Sequence, residues 1–205
     1  MSQYHAPKRQ EQAQESRKAL MDAALSLFSA NGYEASSVRN ICSLAGVADS
    51  LLYHYFPGGT KELLQAIAQE EIEQVLQELN ARNNTYDELP TEEALEALFL
   101  FIRDVVLRHA KVFRLLLRDR ELLNASPLMA LLSRRNYWLP QFLQKKAEKG
   151  EIALMNFEAA SDSLNMLMLS HLIMELEDLP FSPLGDAANR RRMIAYQVGL
   201  WQKGE

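Results

Sequence analysis

Between one glycine or proline and the next, the chain is written almost entirely in helix formers. Leu, Ala, Glu, Gln, Met and Arg fill most segments, while 8 glycines and 7 prolines punctuate the 205 residues. Nowhere do β-branched residues alternate with polar ones over a strand's length. Each local choice therefore agrees with helix, and an all-α protein is expected. An apolar fraction of 48% is enough for a real core and argues against general disorder.

Caps and stops divide the chain. A first helix is expected from about Glu11 or Ser16 to Ala30, closed by Asn31-Gly32. Ser36 or Ser37 caps a short second helix, VRNICSLA, which Gly46 ends, and a third covers roughly Ala48 to Phe56. After Pro57-Gly58-Gly59, Thr60 caps a long fourth helix to about Arg82. Thr91 then caps a helix with Glu92-Glu93 in its first turn, where the helix dipole favours acids. Another helix follows near Lys111–Leu123. Ser126-Pro127 starts one that ends at Gly150, with Pro140 expected to kink or split it. Asn156 opens a helix to about Asp178, and Ser182-Pro183 or Asp186 opens the last, to about Gln202.

Several classes drop out. The first sixteen residues are polar, without the apolar run of a secretory signal, and the longest apolar run, Ala97–Ile102, is too short for a membrane span. The single cysteine, Cys42, forms no intrachain disulfide and reads as a small buried hydrophobe; a cytoplasmic protein is expected. The net charge of −5 is uneven: residues 1–61 carry six bases against five acids, the rest 16 against 22. The first third is therefore the better partner for a polyanion.

Two short helices joined at Gly46 form the pattern of a helix-turn-helix, whose second helix enters the DNA major groove. At 100° per residue, Leu52 and Phe56 share the face expected to be core, with Ser50 and His54 opposite. Asp49 and Tyr53 line one flank, Leu51 and Tyr55 the other. Taken alone, Tyr53 reads as a partly buried ring; at a helix margin its hydroxyl can instead reach a phosphate. Ser37 and Thr60 each begin a helix, where free N–H groups suit anions. Lys61 falls in a first turn, a position unfavourable to a cation by roughly 0.3–1 kcal/mol unless an anion binds there. The Gly-Gly-Thr-Lys string lacks the order and preceding strand of a nucleotide phosphate loop.

The run AALSLFSANGYEASSVRNICSLAGVADSLLYHYFPGGTKELL carries a Phe before Asn-Gly-Tyr, a Ser-Val-Arg helix start, Ala-Gly-Val at the turn and Leu-Tyr-x-x-Phe. Through these features residues 16–64 resemble the DNA-binding domain of the TetR family of bacterial transcriptional regulators. The resemblance implies an arm over residues 1–15, a helix-turn-helix domain over 16–64, and a helical ligand-binding and dimerisation domain over 65–205. It implies DNA contacts from Ser37, Arg39, Ser50, Tyr53, His54 and Lys61, and a homodimer on a near-palindromic operator. Three positions depart from the usual pattern. Ala48 stands where a Ser or Thr often caps the recognition helix, so Asp49 either takes over capping or contacts a base. Leu51 offers only apolar contact. The Gly-Gly-Thr before Lys61 replaces a tighter loop.

The remaining two-thirds carries no motif. LNMLMLSHLIM, residues 164–174, is apolar around its whole circumference and is expected to be buried on all sides, partly by a second subunit. In the last helix, Ala195 and Gly199 allow close approach. The expected dimer interface is Leu164, Met168, His171, Glu175, Ile194, Ala195, Val198 and Trp201. A small apolar or aromatic effector would meet Phe99, Arg103, His109, Phe113, Tyr137, Trp138, Phe142 and Met168. Arg190-Arg191-Arg192 reads as a solvated patch. His109 and His171 lack metal-ligand spacing, and no cofactor is implied.

The leading expectation is thus a repressor released from its operator by a hydrophobic or aromatic effector. The alternative is a DNA-binding protein of the same fold acting without an inducer. A helical enzyme lacks any visible set of nucleophile, base and orienting group.

Overall fold

The computed structural model describes residues 6–81, 85–126, 138–180 and 184–203. Among them there is no strand, and ten helices follow one another: α1 (Ala6–Asn31), α2 (Val38–Ala45), α3 (Asp49–Tyr55), α4 (Thr60–Asn80), α5 (Thr91–Arg108), α6 (Ala110–Arg118), α7 (Arg120–Ala125), α8 (Trp138–Glu148), α9 (Phe157–Leu176) and α10 (Ala187–Lys203). None of them is long and apolar enough to cross a membrane. The all-α expectation holds. The first helix begins at Ala6, so residues 6–15, which the resemblance assigned to an arm, are instead helical. Residues 1–5 of that arm lie outside the described residues.

The chain forms two compact units. One comprises the chain up to Glu73 together with the segment from Lys111 to α7; the other comprises Gln74–Ala110 and α8 to α10. The boundary expected after residue 64 therefore moves along α4, and α6 and α7 join the first unit. That unit packs α2 and α3 against α1, burying Leu20, Ala24 and Phe28 with Ile41, Leu52 and Phe56. α4 adds Leu63, Leu64, Ile67, Ala68 and Ile72 at the three- and four-residue spacing of one helical face. Gly46 closes α2 in the left-handed conformation at φ 69°, its N–H bonding back to Cys42 and Ser43.

Two helix starts differ from expectation. α3 begins at Asp49 with Ala48 as its cap residue, and no side chain caps it. Asp49 is thus the first helical residue and not the cap, though its charge suits that end of the dipole. The expected helix over Lys111–Leu123 is two helices, because the Asp119 side chain accepts from the Leu122 N–H at 2.8 Å and opens α7.

In the second unit α5 packs against α9 and α10, and α8 against α9. Their core holds Leu95, Leu139, Phe142, Leu143, Ile194, Val198 and Trp201. Asn156 caps α9 as expected, and Asp186 is the residue that opens α10, accepting from Asn189 N–H at 2.8 Å. Thr91 does not cap α5: it is the first helical residue, and both its N–H and its hydroxyl donate to Glu151, at 2.8 and 2.7 Å. Burial raises the Glu151 carboxyl, but hydrogen bonds from Thr91 and Lys146 outweigh it and leave the group below its usual range. Pro140 lies in the first turn of α8, where its missing N–H is no loss. Ser126, expected to open a helix, instead closes α7, its hydroxyl donating to the Leu123 carbonyl at 2.7 Å; Pro127 and the start expected at Ser182-Pro183 lie outside the described residues.

Candidate functional site

The turn between α2 and α3 divides the aromatic row as helical geometry requires. Leu52 and Phe56 are buried at 0% and 2% exposure, and the Arg17 guanidinium lies 5.3 Å from the Phe56 ring centre. Arg17 is held there by Glu70 at 2.5 Å. Ser50 and His54 are exposed, His54 resting edge-on against Tyr55 at 5.1 Å. Tyr53 is 53% exposed, and a Cβ at Gly59 would stand 3.6 Å from its ring edge. Gly59 takes φ 69°, which lets the chain turn back under that ring.

On α2, Ser37 caps the helix by accepting from Asn40 N–H at 3.2 Å, and Arg39 is exposed one position into the helix. Ser50, Tyr53, His54 and Arg39 form no hydrogen bond within the described residues. Their donors and acceptors are open to a partner.

The start of α4 is less open than expected. Glu62 reaches back to the Gly58 N–H at 2.6 Å, so a carboxylate already occupies the end where an anion was expected. Lys61, whose side chain is 67% exposed, lies 3.4 Å from Glu121. The Asp49 carboxylate lies beside the Cys42 thiol; burial first, then that negative charge, pushes the thiol above its ordinary value.

The residues assigned to an effector fall in both units. Phe113 is in the core of the first unit, whereas Phe99, Arg103, His109, Trp138, Phe142 and Met168 belong to the second. Tyr137 lies outside the described residues. Trp138 and Phe142 stack at 5.4 Å within the core, and His109 lies 3.2 Å from Glu78. Arg103 makes a two-pronged ion pair with Glu175, which also lies 3.2 Å from the buried His171. Burial lowers the His171 pKa, and the nearby Glu175 only partly offsets this.

Phe99 and Met168 line a cavity of about 50 Å³ in the second unit, together with Leu164, Ile194 and Arg190. Arg190, expected to be solvated, is 7% exposed; it donates to the Leu184 carbonyl at 3.1 Å and to Glu96 at 3.3 Å. Its Nε has no hydrogen-bond partner among the described residues. An orphaned buried donor costs about 1–3 kcal/mol.

The dimer residues divide too. His171, Ile194, Val198 and Trp201 are buried within the single chain, Leu164, Met168 and Glu175 are half-buried, and Ala195 faces outward. The large apolar residues beside them left most exposed are Met166 and Tyr196, at 65% and 70%. No group of three or more potential metal ligands occurs among the described residues.

Fold and face together define a helix-turn-helix protein. Residues 20–67 match the model of the bacterial regulatory proteins of the tetR family. The chain is 45% identical over 56 residues to the transcriptional repressor KstR of Rhodococcus jostii, covering 27% of this chain and 26% of that protein. It is 32% identical over 108 residues to the repressor NicS of Pseudomonas putida, covering 53% and 50%. A TetR-like transcriptional regulator from Rhodococcus sp. RHA1 shares the fold across 93% of this chain and 97% of its own, with a TM-score of 0.65 at 17% identity. The likeness to the tetR family rests on residues 20–67, the stretch that holds α2 and α3. These sequence matches span about a quarter of KstR and half of NicS.

Proposed function

We propose that the chain is a sequence-specific DNA-binding transcriptional regulator. It acts as a homodimer on a near-palindromic operator and represses until a hydrophobic or aromatic small molecule releases it. The observation that carries this reading is the α3 face: Leu52 and Phe56 anchor the helix inward while Ser50, Tyr53 and His54 are exposed, as is Arg39 on α2. A short helix held by its apolar side with hydrogen-bonding groups outside is what groove reading needs. Effector binding would act by favouring a dimer geometry whose two recognition helices no longer match successive grooves.

The size of the cavity favours a second reading. At about 50 Å³ it is far below the roughly 300–1,000 Å³ of sites for drug-sized ligands. A protein of the same fold acting without an inducer, or one responding only to a small effector, accommodates that value.

Selection of bound sequences from random DNA by the purified protein tests the first claim. Enrichment of a two-fold symmetric site, bound by a dimer at micromolar protein, is expected. No enrichment, or a monomer, would remove the operator model. On the selected site, Tyr53→Phe and Lys61→Ala should weaken binding of all sequences, as phosphate contacts do. Arg39→Ala should relax preference at one base pair by about 1–3 kcal/mol.

A further inference from the structure

Lys61, the cation proposed above to meet a phosphate, already faces an anion that the helix-turn-helix does not supply. Its Nζ lies 3.4 Å from a carboxylate oxygen of Glu121, the second residue of α7 and 60 positions further along the chain. The two side chains are 67% and 87% exposed, so burial does not hold them together and either can exchange partners. α7 reaches this end of α4 because its Leu122 is buried, lining a groove with Glu62, Gln65 and Ala66 of α4. The Asp119 side chain caps α7 and fixes the turn that carries Glu121. The next acid on α4 is engaged elsewhere: Glu62 accepts from the Gly58 N–H at 2.6 Å.

We infer that Glu121 competes with the DNA backbone for Lys61 and so sets how tightly the protein holds DNA. The inference rests on the DNA-binding reading above and adds to it a residue that lies outside the matched stretch 20–67. Two effects act in the same direction. Phosphate must first displace the carboxylate, and an exposed ion pair holds by a factor of up to about five. The displaced carboxylate then stands near the bound phosphate, and like charges at that range repel. Counterions record the exchange. A lysine that comes to phosphate from open solution releases about one cation from the DNA, whereas one that leaves a carboxylate frees that group to gather a cation back. The salt dependence of this contact is therefore blunted while Glu121 is present.

Fluorescence anisotropy of the full chain with a labelled duplex of mixed sequence tests this, because a phosphate contact does not depend on sequence. Between about 50 and 200 mM salt the wild type is expected to lose affinity steeply. Glu121→Gln should bind about two- to fivefold tighter at the low-salt end. It should also steepen the slope of log affinity against log salt by up to about 1 per bound subunit. Glu73→Gln removes the same charge about 18 Å further along α4 and is expected to change little. In Lys61→Ala, adding Glu121→Gln should change nothing, as an interaction made through Lys61 requires. All three side chains are exposed, so the fold is expected to survive each change. Unchanged affinity in Glu121→Gln, an equal gain in Glu73→Gln, or a gain that survives Lys61→Ala would each overturn the inference. Duplex binding with no gain in Glu121→Gln leaves a DNA-binding protein and removes Glu121 from its control. No duplex binding by the wild type removes both, so the two failures are told apart.

Discussion

Cys42 faces the first turn of α3, and the Asp49 carboxylate lies against its thiol. The sequence left Asp49 between capping a helix and contacting a base; a third role emerges because Gly46 folds α3 back toward α2. A negative charge beside a buried thiol disfavours the thiolate, which is the reactive form. Native Cys42 should therefore resist alkylation by iodoacetamide at pH 8.5, and Asp49→Asn should react several-fold faster. Mass spectrometry of the labelled protein reads this, and equal rates would place Asp49 elsewhere. Tyr53 and His54 were legible in advance, since only helical rotation was needed to set them outside Leu52 and Phe56. Arg190 was not. Its neighbours Arg191 and Arg192 are exposed, and nothing local distinguishes the arginine that Leu184, Glu96 and Phe99 enclose.

At the scale of elements, stops were easier to read than starts. A glycine that enters left-handed φ ends a helix by its own backbone, so Gly32 and Gly46 could be named from sequence. Starts depend on which side chain arrives. Thr91 resembles a cap, yet the cap of α5 is Glu151, 60 residues away, which also meets Lys146 Nζ at 3.1 Å. Lys146 is 1% exposed and donates its other hydrogen bonds to the Asp87 and Leu89 carbonyls. Glu151→Gln keeps the shape but removes the charge opposite a buried ammonium, and should cost about 2–3 kcal/mol in urea denaturation. Glu148→Gln, whose partner is Gln144 on the surface, should cost close to nothing.

At the scale of the molecule, pH should act on stability in one direction below neutrality. His171 is depressed in the fold, so below its ordinary value of 6.5 the unfolded chain takes up a proton that the folded chain refuses. Stability is therefore full above pH 6.5 and falls below it. Glu151 is also depressed, and so is Glu78 through Arg108 and His109; their contributions are lost lower, as pH falls through the carboxylate range. Urea midpoints should drop from pH 7.5 to pH 5.5, and His171→Gln should flatten that interval while leaving the fall below pH 4.5. A midpoint unchanged down to pH 5.5 in the wild type would contradict the burial of His171.

The sequence by itself determined the helical class, the short helices around Gly46 and the inward and outward sides of α3, because backbone propensity and 3.6-residue periodicity act within a few residues. The tertiary structure alone decided that α6 and α7 join the first unit, that Glu151 caps α5, and that Arg190 is the buried arginine of its run. Those outcomes rest on contacts between residues up to 94 apart, such as Arg190 with Glu96. Burial is set by what packs around a side chain, and no local pattern encodes it.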